Sequence, residues 1–203
     1  INQWWNTLDH LEEVPNNYDD QVDRFKELFF DACKIRMRSD VPIGSALSGG
    51  LDSSSVLCAM NKIRSKDLVN SDRLPDEWQN AFVATYPGSL QDESKWADLV
   101  IKKTGAIPKY IELNKEMAFE SFEDLLYFSE EVGLLHIGPF QIYKQMRENG
   151  VVVSIDGHGG DELLAGYPHY PRIAMEEAIF PIPNISKYVE NYNIYKGCFS
   201  HNI

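Results

Sequence analysis

Ile43-Gly44-Ser45-Ala46-Leu47-Ser48-Gly49-Gly50-Leu51-Asp52-Ser53-Ser54-Ser55 is the stretch whose reading decides the fold. Ile43 to Leu47 has the length and composition of one buried strand, and from Asp52 onward Val56, Leu57, Ala59, Met60 and Ile63 recur at helical spacing. Ser48 to Ser54 is therefore a strand-to-helix turn. Gly49 and Gly50 permit backbone conformations that a β-carbon hinders, and they let backbone N–H groups approach an anion closely. Ser48, Ser53 and Ser54 add hydroxyl donors, and the helix N-terminus carries about half a unit of positive charge. A phosphate group is the expected ligand.

The turn is not the GxxxxGK[ST] phosphate loop, because no lysine follows the glycines to hold a transferred phosphate, so kinase and GTPase chemistry are disfavoured. Asp52 would repel phosphates unless a divalent cation lay between them, which gives it a Mg²⁺ role. The alternative is a serine-rich cap on a helix that follows a core strand.

A second stretch has the same grammar. Val151-Val152-Val153-Ser154-Ile155 is a β-branched run fit for a buried strand, and it leads into Asp156-Gly157-His158-Gly159-Gly160-Asp161-Glu162, followed by Leu163, Leu164, Ala165, Gly166 and Tyr167. Between the two turns, Ala81 to Tyr86 reads as a strand closed by Pro87-Gly88. Glu93 to Lys103 reads as a helix with Trp96, Leu99 and Val100 on one face and Gly105 as its stop. Tyr110 to Leu113 is a short strand. Lys115 to Val132, with Phe119, Phe122, Leu125, Leu126 and Phe128, predicts one long helix with an acidic outer face, and Pro139 starts another that Gly150 ends. Val22 to Met37 predicts the first helix. Alternating strands and helices argue for an α/β doubly wound parallel sheet with helices on both faces and right-handed crossovers.

In such sheets ligands bind beyond the carboxyl ends of the strands, where strand order reverses. Both glycine turns follow strands. If the first and fourth strands are neighbours, Asp52 and Asp161 face one crevice and share one Mg²⁺.

The stretch from Val41-Pro42-Ile43-Gly44 through Ser55 resembles the start of the synthetase domain of glutamine-dependent asparagine synthetases, a PP-loop ATP pyrophosphatase domain of the adenine nucleotide alpha hydrolase-like type. The block from Asp156 through Glu162, with the trailing Gly166-Tyr167, resembles the second nucleotide-contact loop of the same family. The match covers about positions 22 to 170. The resemblance implies that Ser48, Gly49, Gly50, Asp52, Ser53 and Ser54 hold pyrophosphate and metal, that Ala46 and Ala84 approach the adenosine through their backbone, that Asp156 and Gly157 complete the nucleotide pocket, and that Asp161 is the second metal ligand. It also implies ATP and Mg²⁺, an aspartate carboxylate adenylated with release of pyrophosphate, and ammonia delivered from an N-terminal glutaminase domain. Many asparagine synthetases carry serine and then glutamate where this chain has Asp156 and His158. His158 then stands as a hydrogen-bond donor or proton acceptor near pH 7, or as a plain loop residue, and Asp156 as a partner for a ribose hydroxyl. Related amide-forming members, β-lactam synthetases and lasso-peptide cyclases, share the loops and use an internal amine; a nucleotide-binding relic is a further alternative.

Composition is compatible with this reading and unspecific. At 203 residues, with 43% hydrophobic and 25% charged, the chain can bury one core. A formal charge of −12 disfavours nucleic acid as a partner, and Asp19-Asp20, Glu130-Glu131 and Glu176-Glu177 read as solvated faces. Cys33, Cys58 and Cys198 form neither a CxxC pair nor an even disulfide set, which suggests a reducing, cytoplasmic setting. No apolar run approaches about 18 residues, so no membrane span or signal peptide is indicated. Ile1 in place of methionine suggests a piece of a longer protein: residues 1–21 a linker from a glutaminase domain, 22–170 the synthetase domain, and 171–203 an incomplete helical part with Pro171, Pro181 and Pro183. A family lysine nearer the C-terminus has no match in Lys187 or Lys196. These 203 residues alone are therefore expected to show little synthetase activity. The acceptor carboxylate and the oligomeric state stay open, with a homodimer as one expectation.

Overall fold

The computed structural model describes residues 3–65, 79–90, 92–130, 136–180 and 182–199. The chain divides into two compact units, Ile1–Asp156 and Gly157–Ile203.

The first unit is built on four parallel strands, β1 (Ile43–Ala46), β2 (Asn80–Thr85), β3 (Ile107–Glu112) and β4 (Val153–Ser154), in the order β3-β2-β1-β4. Chain order runs outward from β1 to β3 and then returns to the far side of β1. The expected neighbourhood of the first and fourth strands is thus present, with Ile43 beside Val153 and Gly44 beside Ser154.

Alternation along β2 shows why helices cover both faces. Ala81 and Val83 point to one side, where they pack with Leu57 of α2 (Leu51–Ser65) and Ala97 of α3 (Ser94–Thr104). Phe82 points to the other side, onto Ile142 and Met146 of α6 (Ile137–Glu148). A third cluster joins α1 (Tyr18–Arg36) to α2 and to β1 through Cys33, Met37, Ile43, Val56, Met60 and Ile63. A strand buried on both faces reads as a continuous apolar run, and β2 is Asn-Ala-Phe-Val-Ala-Thr.

Four expectations change in detail. The long helix over Lys115 to Val132 is two short ones, α4 (Lys115–Glu120) and α5 (Phe122–Ser129); Val132, Glu131 and Pro181 lie outside the described residues. The break falls at buried Ser121, whose hydroxyl meets the buried Gln141 amide of α6, a tertiary contact that a periodicity pattern does not contain. Only Leu125 of the predicted apolar stripe is buried, and Phe119 is 84% exposed. On α3 the inward face is Ala97, Val100 and Ile101, whereas Trp96 and Leu99 are exposed; the close approach of the Ser48–Gly50 turn to Trp96 and Ala97 favours the small residue on that side. Strand β3 starts at Ile107, three residues before the predicted Tyr110, and tolerates Pro108 because it is an edge strand. Strand β4 is only two residues long, Val153–Ser154, shorter than the predicted run from Val151 to Ile155. The paired acidic residues Asp19-Asp20 and Glu176-Glu177, and Glu130, are exposed as expected.

The second unit contains α7 (Gly160–Leu164), α8 (His169–Glu177) and α9 (Ile185–Phe199). Pro171 sits in the first turn of α8, where a missing N–H costs little. Among the described residues no helix is long and apolar enough to cross a membrane.

Candidate functional site

The turn between β1 and α2 is held by its own hydroxyls. Ser48 N–H donates to Ser53 Oγ at 3.3 Å, the two hydroxyls lie 3.0 Å apart, and Gly50 N–H donates to Ser48 Oγ at 3.1 Å. Ser54 N–H closes the first helical turn onto Gly50 O at 3.1 Å. The first N–H groups of α2 have no acceptor within the helix, so they face whatever stands before it. Gly49 carries φ +85°, and a β-carbon there would lie 2.7 Å from Ala97 N, 2.8 Å from Trp96 Cβ and 3.0 Å from Glu93 O. Glycine is therefore required twice over, by conformation and by the closeness of α3. Ser54 Oγ is the one buried side-chain oxygen among the described residues that has no hydrogen-bond partner. Asp52 lies in the first turn of α2, where the helix dipole favours a carboxylate.

Ala46 and Ala84 lie near the carboxyl ends of adjacent strands and join the cluster beneath α6. Ala46 N–H is taken by Asp156 Oδ1 at 2.6 Å. Asp156 also accepts from the Ser154 hydroxyl at 2.6 Å and, on Oδ2, from the Tyr143 hydroxyl at 2.9 Å. Burial, and then the bond to Asp156, push the Tyr143 phenol up to about 12.

The structure thus gathers Ala46, Ser48, Gly49, Gly50, Asp52, Ser53, Ser54, Ala84 and Asp156 in the first unit, at or beyond the carboxyl ends of β1, β2 and β4. Gly157, His158 and Asp161 belong to the second unit. There Gly159 takes φ +90° ahead of α7, and Asp161 O accepts the Gly166 N–H at 2.9 Å. A β-carbon on Gly166 would overlap the Asp161 carboxylate as it stands, a side-chain end that can swing aside. Tyr167 donates to Glu162 Oε1 at 2.9 Å, and this bond raises its phenol.

Two participants escape sequence reasoning. Asp92 accepts the Tyr86 N–H at 3.2 Å and the Ser94 N–H at 2.9 Å, joining the end of β2 to the start of α3. The Ser94 bonds, assisted by Tyr86, hold its carboxyl below the usual range. Tyr143 is the other; its one sequence signal is its place beside the buried Ile142 and Met146 of α6.

A glycine turn at the carboxyl end of a central parallel strand, next to the reversal of strand order, defines a doubly wound α/β domain. The chain belongs to the asparagine synthase family, whose model matches residues 24–198. It is 33% identical to a putative glutamine-hydrolysing asparagine synthetase of Methanocaldococcus jannaschii over 72% of this chain and 26% of that protein. It is 28% identical to the amidase chry2 of Gibberella zeae over 78% of this chain and 24% of that protein. It is 25% identical to the glutamine-hydrolysing asparagine synthetase B of Escherichia coli over 79% of this chain and 30% of that protein. The chain spans about a quarter of the length of these relatives.

Proposed function

We propose that this chain is the ATP-dependent ligase part of an asparagine-forming enzyme, which activates the side-chain carboxylate of aspartate for amidation by glutamine-derived ammonia. The observation that carries the reading is the Ser48–Ser54 turn: a hydroxyl-braced glycine loop at the end of β1, with Gly49 locked at φ +85° and the orphaned Ser54 Oγ beside it. These features fit a polyphosphate, which supplies many acceptor oxygens and no donors.

In this reading the α2 N–H groups and the Ser48 and Ser53 hydroxyls hold the β- and γ-phosphates as negative charge grows on the leaving pyrophosphate. An aspartate carboxylate oxygen bonds to the α-phosphorus, the bond from that phosphorus to the β-phosphate bridge breaks, and ammonia then displaces AMP at the acyl carbon. The chain's task is alignment of these groups and exclusion of water. Mg²⁺, when bound, neutralises phosphate charge. Asp52 and Asp161 are its proposed ligands. Among the described residues no three or more His, Cys, Asp or Glu side chains form a metal cage, and a cation carried largely on phosphate oxygens needs none. His158 is proposed as a proton acceptor or hydrogen-bond donor toward the acceptor groups. A cytoplasmic setting accords with three free thiols.

A second reading keeps the same activation with a different acid or amine. The fungal relative named an amidase favours it, as do Asp156 and His158 in the second loop.

The test is exchange of labelled pyrophosphate into ATP by the full-length polypeptide that carries this sequence, with aspartate against a panel of acids. Exchange that needs aspartate and disappears in Asp52→Asn is the expected result. Exchange driven by another acid selects the second reading, and absence of exchange with every acid overturns both.

A further inference from the structure

Asp156 stands where strand order reverses, and the chain itself engages both of its oxygens. Oδ1 accepts the backbone N–H of Ala46 and the hydroxyl of Ser154, each at 2.6 Å, and Oδ2 accepts the Tyr143 hydroxyl at 2.9 Å. One residue earlier, the Ser45 hydroxyl donates to Ile155 O at 2.5 Å, so a second side chain spans the same strand pair. Ala46 ends β1, Ser154 ends β4, and Tyr143 rides on α6 between the buried Gln141 and Ile142 on one side and Met146 on the other. Regular pairing of β1 with β4 stops at Gly44 and Ser154, and Ile155 N–H reaches Gly44 O at 3.0 Å. Beyond that point the Asp156 side chain continues the ladder in place of a backbone carbonyl. Leu47, which follows Ala46, donates to Phe82 O at 2.8 Å on the other side, and Ser48 opens the turn. The entry to the turn is thus pinned to β4 by a carboxylate and to β2 by a backbone bond.

We propose that Asp156 is a positioning residue, which with Tyr143 fixes the start of the Ser48–Gly50 turn against β4, and that it does not read the ribose hydroxyls. A carboxylate offers about four lone-pair sites, and three are directed at donors of the chain. Oδ1 is filled by its two donors, so a ribose hydroxyl could reach only the one remaining site, on Oδ2 beside the Tyr143 phenol. Bonds to an ionised acceptor are the stronger ones, so the internal partners hold it firmly. The functional consequence of the clip rests on the proposed nucleotide chemistry; the clip itself does not.

The experiment therefore has two arms on the full-length polypeptide. Without nucleotide, amide hydrogen exchange at Ala46 reads the clip directly. In Asp156→Ala its protection falls at least about tenfold, the worth of one bond to a charged acceptor, whereas Asp156→Asn, which keeps an acceptor for Ala46, restores most of it. Equal protection in wild type and Asp156→Ala overturns the proposal. With nucleotide, affinities for Mg·ATP, Mg·2′-deoxy-ATP and Mg·3′-deoxy-ATP are compared. Tyr143→Phe and Asp156→Asn shift all three together, leaving the ratio of ATP to the deoxy forms within about twofold of wild type. A ratio that collapses toward one in Asp156→Asn alone assigns the carboxylate to the ribose and also overturns the proposal. If the wild type binds none of the three, the nucleotide reading of the site fails, and the Ala46 amide still decides the clip.

Discussion

Replacing Gly49 by alanine separates two demands on one residue, and Gly88 provides the control. Both glycines have positive φ, +85° and +79°, but a β-carbon on Gly88 meets nothing within 4 Å, whereas on Gly49 it lies 2.7 Å from Ala97 N and 3.0 Å from Glu93 O. Gly88→Ala should therefore cost only the left-handed conformation, about 1–2 kcal/mol. Gly49→Ala costs the same plus overpacking against backbone that cannot swing aside, about 1–3 kcal/mol more. The sum, about 2–5 kcal/mol, corresponds to a fall in Tm of roughly 4–20 °C for a domain of this size. Relief is available only if α3 moves away from the turn, and that movement would also disturb the N–H groups proposed to face the phosphate. Thermal unfolding followed by circular dichroism, and Mg·ATP binding by calorimetry, are the assays. Equal destabilisation by the two substitutions would refute the packing argument. A destabilised Gly49→Ala that binds Mg·ATP as tightly as wild type would refute the assignment of this turn as the phosphate cradle.

Ser54→Ala should leave the ligand-free protein as stable or up to about 1 kcal/mol more stable, because it removes a buried hydroxyl with no partner, yet weaken Mg·ATP binding if that hydroxyl serves the ligand; a loss of stability without loss of binding would contradict this. Gln141→Leu should destabilise by about 1–3 kcal/mol in denaturant unfolding, since it strands the buried Ser121 hydroxyl that separates α4 from α5. Tyr143 is protonated preferentially in the folded state, its phenol being pushed up to about 12 from an ordinary value of 10, so its contribution is complete below pH 10 and is lost as pH rises toward 12. The wild-type minus Tyr143→Phe phenolate absorbance should show this late titration, and Asp156→Asn should bring it earlier. With a disulfide reagent near pH 8, exposed Cys198 should react first and Cys33 last, because burial raises the Cys33 thiol.

The parts of the fold that were legible in the sequence are those in which local pattern and tertiary environment agree. Strand β1, turn and α2 were read within a residue or so because an apolar run, two glycines and a helical stripe change period in sequence order. The stop of α3 at Gly105 was equally plain, and it is a left-handed cap with φ +71°. What failed was decided by neighbours distant in sequence. The division of α4 from α5 turns on Ser121 meeting Gln141, twenty positions away, and the exposure of Trp96 turns on how closely Gly49 approaches α3. The run Val151-Val152-Val153 carries three β-branched residues, yet only Val153 enters the ladder with β1.

The candidate site divides the same way. The conformation of Ser48 to Ser54 was legible because it is set mostly by backbone: glycines and a helix start place N–H groups, and sequence states where glycines are. Asp156 was legible as a polar residue after a strand, but its partners were not, because Ala46 is 110 positions earlier and contributes only a backbone N–H. Tyr143 was invisible, since nothing distinguishes a phenol that reaches a carboxylate from one that rests at the edge of an apolar stripe until α6 is laid on the sheet. That dependence runs in one direction. The strand order β3-β2-β1-β4 sets β4 beside β1, this adjacency brings Asp156 to the Ala46 amide, and the Ser48–Gly50 turn then begins from a fixed point. A sheet in which β4 paired elsewhere would keep both glycine motifs and lose the clip, so the topology, more than either motif, determines whether the first turn is held ready for a ligand.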